Sequence, residues 1–323
     1  MSSLSSPEAP AAVAALTAAA SAAAAGDNDA RRRASVASHR LAARRRERRA
    51  QWHLLFIALF VLGPLVVYPL VRLVALSLNG PQGVSLQAYA GFFGNPQTRG
   101  VIGTTLWIML ASAGLASLLG VTLASLLFFK PFPGARIITR FLELFVAFPS
   151  FLVAFTLIFL YGSQGSVSIA LQRLFHLQAP LDFLFGAGGV ILAEVVFYAP
   201  FVVRPTLASF ATLDMRLIEA ARSLGASMWM VAFKVILPLA WPGIAAGTIL
   251  CFLLTLNEFG ILLVLGSAHL ITLPVAIYSS ATVDLDLPTA AAGAVVMLFV
   301  SLSLYALYRQ VNGRALRGAG HGR

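Results

Sequence analysis

Residues Glu219 to Leu239 read EAARSLGASMWMVAFKVILPL. The stretch starts polar, is interrupted once by glycine, and stands between two long apolar runs. Arg216 to Leu224 is rich in good helix formers, Glu, Ala, Arg and Leu. Gly225 can end that helix by taking a positive φ that other residues resist. After it, Met228, Val231, Ala232 and Val235 recur at three- and four-residue spacing, which predicts a second short helix over 228–236. Pro238 does not continue that helix freely and marks the entry to the next apolar run. The expectation is two short helices joined at an angle and lying at a membrane surface.

The membrane follows from composition. Hydrophobic residues make up 59% of the chain and charged residues 11%, against about 45–50% and 25% in soluble domains. A helical span needs about 20 mostly apolar residues. Six runs meet that: Trp52–Leu78, Val101–Phe129, Phe141–Tyr161, Gly189–Leu213, Leu239–Gly266 and Leu287–Tyr308. The short alternating strands of a barrel do not occur. The fold class expected is an all-α integral membrane protein with six transmembrane helices.

The net charge of +11 raises the question of nucleic acid, and the placement of the charges answers it. With the N-terminus in the cytoplasm, basic residues gather on one side. They lie in the run Arg31–Arg49, at Lys130, Arg136 and Arg140, at Arg216, Arg222 and Lys234, and at Arg309, Arg314, Arg317 and Arg323. Only Arg99 and Arg173 fall on the other side, while Arg72 and Arg204 lie within spans. This is the positive-inside distribution, so the partner of the charge is the lipid bilayer and not nucleic acid. Both termini and the Glu219–Leu239 stretch are placed in the cytoplasm.

Three regions are expected. Residues 1–50 form a disordered tail, Ala- and Ser-rich and then basic, able to attract anionic headgroups. Residues 51–311 form one transmembrane domain, and residues 312–323 a cytoplasmic C-terminal tail. Between spans, Asn79-Gly80-Pro81 and Asn95-Pro96 read as turns, Ile169–Phe175 as a short surface helix, and Leu270–Tyr278 as a segment on or dipping into the membrane.

Enzyme chemistry is not indicated. A phosphate-binding loop needs Gly-Lys followed by Ser or Thr, yet Lys130 is followed by Pro131 and Lys234 by Val235. The histidines are scattered, and the single cysteine, Cys251, excludes an internal disulfide. No cofactor and no metal site are expected. Ionisable residues inside spans are costly and so draw attention. Arg72 can snorkel from its span end, while Glu143 and Glu194 lie near span ends where partial solvation is the simple account. Arg204, beside Pro205, suits a carboxylate or free carbonyl partner as well as an anionic solute. Asn257-Glu258-Phe259-Gly260 lies deep in the fifth run, either as a packing cluster satisfied by a neighbour or as part of a translocation path.

Glu219-Ala220-Ala221, three residues, Gly225, nine residues, then Val235-Ile236-Leu237-Pro238 closely resembles the EAA loop of permease subunits of bacterial ATP-binding-cassette importers of type I. Val235 replaces the usual isoleucine. The tetrad Asn257–Gly260, with Ile271-Thr272-Leu273-Pro274 and Ile277-Tyr278-Ser279 downstream, resembles permeases for oxyanions and, more nearly, for 2-aminoethylphosphonate. The resemblance covers about Trp52 to Tyr308. It implies a bacterial inner-membrane permease working with a second permease subunit, cytoplasmic ATPase subunits and a periplasmic solute-binding protein. In that reading Glu219, Ala220, Ala221, Gly225, Leu237 and Pro238 couple the permease to the ATPase. Asn257, Glu258, Phe259, Gly260 and Arg204 line the path. The alternatives are an ion-coupled secondary transporter, for which Glu194 and Glu258 are the available acids, and a non-transporting membrane scaffold.

Overall fold

A computed structural model describes residues 63–320 apart from 81–82, 131, 177–182 and 267–269, together with positions 17, 20, 21, 52, 56, 57, 59 and 60. The tail expected over residues 1–50 lies almost wholly outside these. The chain divides into two units, Met1–Arg72 and Leu73–Arg323. In the first, a π-helical turn, Gly63–Val67, leads into helix α1, Tyr68–Ser77, which runs on past the unit boundary. The expected span Trp52–Leu78 is therefore described only in part.

In the second unit, Asn79–Gly80 and Gly83–Val84 form a small antiparallel ribbon, β1 and β2. Helix α2, Gln87–Gly94, follows. Asn95-Pro96, expected as a loop turn, instead starts a helix. The Asn95 side chain accepts a hydrogen bond from the Gln97 N–H at 2.9 Å, and Pro96 occupies the first helical turn, where its missing N–H costs nothing. Helix α3 then runs from Pro96 to Phe129.

Five segments of the described residues are long and apolar enough to cross a membrane: Pro96–Phe129, Ser150–Phe175, Ala187–Phe210, Met228–Leu256 and Leu287–Val311. Several expected helices differ from the sequence reading. The run Phe141–Tyr161 is split into α4, Ala135–Phe145, and α5, Ser150–Tyr161. Pro149 between them has extended backbone, ψ 137°, and disfavours helix at Phe148 before it. After a turn at Gly162–Gly165 the chain continues into α6, Ser166–Phe175, longer than the surface helix expected there. The run Leu239–Gly266 is likewise not one helix, because it breaks at Asn257–Phe259. A further difference lies at Pro238 and is described with the site.

The middle of the unit is α7, Ala187–Phe210. It packs on α3 and on the helix Leu237–Leu256. Close approach is made possible by missing side chains. A Cβ on Gly120 would lie 2.7 Å from Val202 Cβ, and one on Gly247 would lie 2.8 Å from Pro205 Cγ. Gly243 and Gly247 form a small-residue pair four apart, the spacing that lets membrane helices touch backbone to backbone. The buried apolar residues form two clusters. One is built around Ile108, Val190, Val202, Cys251 and Ile261. The other is built around Leu127, Val203, Phe210, Ile218, Val231 and Ile236.

Candidate functional site

The Glu219–Leu239 stretch begins with α8, Met215–Ser223, capped by the Asp214 side chain, which accepts from the Arg216 N–H at 3.0 Å. The helix ends in a Schellman turn. The Gly225 N–H bonds to the Arg222 carbonyl at 3.0 Å and the Ala226 N–H to the Ala221 carbonyl at 3.1 Å. Gly225 has φ +85°, and nothing lies within 4 Å of where its Cβ would stand. Conformation alone, and not space, selects glycine here. Ser227 then caps the next helix, accepting from the Met230 N–H at 3.3 Å.

That second helix does not stop at Pro238. It runs as α9, Met228–Val231, through a π-helical turn, Ala232–Ile236, straight into α10, Leu237–Leu256. The expected short helix is thus the first part of a span. A proline removes one backbone bond and presses on the carbonyl four residues back, here that of Lys234. Widening the preceding turn to π geometry relieves both, as π-bulges do elsewhere. The segment has two faces. Ile218, Val231 and Ile236 are buried in the second apolar cluster, while Glu219, Ala220, Gly225 and Pro238 are exposed, and Ala221 and Leu237 half-buried. Leu224 at the tip is 89% exposed.

The second candidate region is the break at Asn257–Phe259, between α10 and α11, Gly260–Leu265. Its residues turn in different directions. Glu258 is only 5% exposed, and its carboxylate is filled by donors from three places. Oε1 accepts from the Ser150 hydroxyl at 2.9 Å and from the Ile261 N–H at 2.7 Å. Oε2 accepts from the Tyr198 hydroxyl. The acid thus caps the first turn of α11 and ties it to the start of α5 and to α7. Asn257 is exposed; its Nδ2 donates to the Leu253 carbonyl at 2.7 Å and to the Ser301 hydroxyl at 3.1 Å, which joins the break to α13, Leu287–Gly320. The Phe259 ring lies 5.2 Å from that of Tyr278 in α12, Leu273–Thr282. Gly260 sits where a Cβ would come within 3.1 Å of Ser150 Oγ and 3.4 Å of Glu258 Oε1.

The two broken spans therefore meet each other, with Ser150 directly after one break and Glu258 inside the other. Ser150 and Tyr198 were missed in the sequence. Pro149 was the available signal for the first of them, because it ends a helix at depth and frees backbone and side-chain groups there. Arg204 is exposed and stands on α7 six residues beyond Tyr198, roughly 9 Å along the helix; the structure does not bring it to Glu258. Glu194, expected to be partly solvated, is instead 0% exposed. Ser112 of α3 stands beside it, yet neither carboxylate oxygen nor the Ser112 hydroxyl meets hydrogen-bond geometry. The helix α13 runs on through Gly320, past the Tyr308 end expected and into the residues set apart as a tail. No group of three or more metal-ligating side chains occurs among the described residues.

Comparison with known proteins adds four findings. Residues 116–317 match the family described as binding-protein-dependent transport system inner membrane component. A Salmonella paratyphi A protein provisionally named 2-aminoethylphosphonate transport system permease protein PhnU is 38% identical over 262 residues, covering 80% of this chain and 91% of the relative. The molybdenum transport system permease protein ModB of Haemophilus influenzae is 35% identical over 164 residues, 50% of this chain and 70% of the relative. Among solved structures, a bacterial ATP-binding-cassette transporter involved in import of the acidic polysaccharide alginate superposes with a TM-score of 0.69 at 19% identity, over 84% of this chain and 99% of that one.

Proposed function

The chain belongs to the family of binding-protein-dependent transport system inner membrane components, the multi-pass inner-membrane permeases of ATP-binding-cassette importers, and we propose that its solute is 2-aminoethylphosphonate or a closely related phosphonate or oxyanion. The observation that carries the solute is the 38% identity sustained over 80% of the chain with a relative provisionally named for 2-aminoethylphosphonate. The shorter match to a molybdenum permease keeps other oxyanions as the second choice.

The mechanism begins at the exposed elbow. An ATPase subunit grips α8 through Glu219, Ala220, Ala221 and the tip at Leu224 and Gly225. The opposite face of the same elbow is rooted in the bundle by Ile218, Val231 and Ile236. Motion of the ATPase pair is thereby carried along α9 and α10, through Leu237 and Pro238, without a flexible joint. A second permease subunit, identical or related, completes the pore, and a periplasmic solute-binding protein delivers the solute. Both termini lie in the cytoplasm, which the basic-residue distribution supports.

Along the path, Arg204 offers an exposed guanidinium suited to a phosphonate, and Asn257 an exposed amide at the break. Glu258, Phe259 and Gly260 shape that break. The test is uptake into vesicles holding the permease with its ATPase and binding protein. ATP-driven accumulation of 2-aminoethylphosphonate, competed poorly by molybdate and sulfate, is the expected result. Preference for molybdate or sulfate would reassign the solute, and uptake driven by an ion gradient without ATP would remove the importer reading.

A further inference from the structure

A cleft of about 490 Å³ lies between α3 and the second helix of the elbow. One wall is the last two turns of α3, with Val121, Ser125, Leu126 and Phe129. The other carries Trp229 and Phe233. Those two rings are stacked at 6.1 Å and 16°, yet they are 75% and 60% exposed. The hydroxyls that line the cleft are turned back into their own helix: Thr122 donates to the Leu118 carbonyl and Ser125 to the Val121 carbonyl, both at 2.7 Å. The walls are therefore aliphatic and aromatic. The one charged residue in the lining is Lys130, and no carboxylate lines the cleft.

We propose that this cleft binds an anionic phospholipid, with one acyl chain between α3 and the Trp229–Phe233 wall and the headgroup phosphate on Lys130. Two properties fit that occupant together. An apolar cleft matches a hydrocarbon chain, and a single cation in its lining, just past the C-terminal end of α3 and on a flexible stem, matches a headgroup at the membrane surface. Trp229 lines the same cleft, and amphipathic rings of this kind collect at membrane interfaces. A second copy of the chain fits less well. A two-fold contact here brings Lys130 and the neighbouring exposed Lys234 toward their own copies, with no carboxylate in the cleft to oppose them. The bound lipid wedges the π-helical turn Ala232–Ile236 against α3, and this holds whichever solute is carried.

The test uses the full chain with Trp52→Phe, Trp107→Phe and Trp241→Phe, so that Trp229 alone reports. It is reconstituted into phosphatidylethanolamine vesicles containing phosphatidylglycerol or phosphatidylcholine with brominated acyl chains. Brominated phosphatidylglycerol is expected to quench Trp229 at about fivefold lower mole fraction than brominated phosphatidylcholine. Lys130→Gln removes that difference and Lys130→Arg keeps it, with unchanged helix content by circular dichroism in both. Equal quenching by the two lipids in the parent chain would overturn the proposal in favour of general lipid contact. Absence of quenching by either, together with a Ser125→Cys disulfide between chains, would overturn it in favour of a second copy.

Discussion

The elbow at Gly225 and the break at Glu258 are both interruptions of helix, and they are finished in opposite ways. At the elbow the freed carbonyls of α8 are met by backbone N–H groups alone, and the side chains around Gly225 are left outside. At the break a carboxylate supplies the acceptor for the freed N–H of Ile261, and it draws in Ser150 and Tyr198 as well. Water explains the difference. An exposed turn needs only the right φ, because whatever the turn leaves unpaired is hydrated. In an apolar interior each unpaired backbone group costs several kcal/mol by typical estimates, so a break there must bring its own partners. An acid inside a span then has a structural use that does not involve solute.

The largest effect is expected at that acid. Glu258→Gln keeps the shape but leaves one oxygen for three donors and turns an amide N–H₂ toward one of them. A loss of about 2–4 kcal/mol is expected, read as a lower thermal midpoint and lower yield of the purified permease. A stable Glu258→Gln protein with uptake selectively lost would move Glu258 from the joint to the solute path and dissolve the contrast. Tyr198→Phe removes a single donor to a charged group and is expected to cost about 1.5–3 kcal/mol, in the same assay. Gly225→Val is expected to strain the elbow by about 1–2 kcal/mol, with the bundle's midpoint little changed and ATPase co-purification reduced. Gly225→Asn, which tolerates positive φ, should restore most of it. The smallest effect belongs to Glu194, where both oxygens lack partners. Glu194→Leu is expected to leave the midpoint unchanged or to raise it, since an apolar side chain loses no hydrogen bond there; a marked fall would reveal a partner for the acid.

The elbow was legible in the sequence because its signals are local. Glu219 to Leu224 favours helix, Gly225 is the residue a positive φ demands, and hydrophobic spacing from Met228 gives the buried face. Pro238 misled, since a stop read from one residue took no account of the π-turn that lets α10 continue. The interior joint was half legible. Glu258 stood out as an acid at depth, but its partners lie 108 and 60 residues away in sequence, and nothing local links Ser150 or Tyr198 to it. Glu194 was misjudged for a related reason. Distance along a helix suggested a solvated end, whereas the packing of α3 over that turn closes it.

The coupling role of the elbow is tested most directly by a photo-cross-linking residue substituted for Leu224, the exposed tip of α8, in membranes that contain the ATPase subunit. Coupling through this elbow predicts a covalent permease–ATPase adduct from Leu224, and none from the same probe substituted for Asn257. An ATPase adduct from Asn257, or none from Leu224 with the complex assembled and transporting, would contradict it.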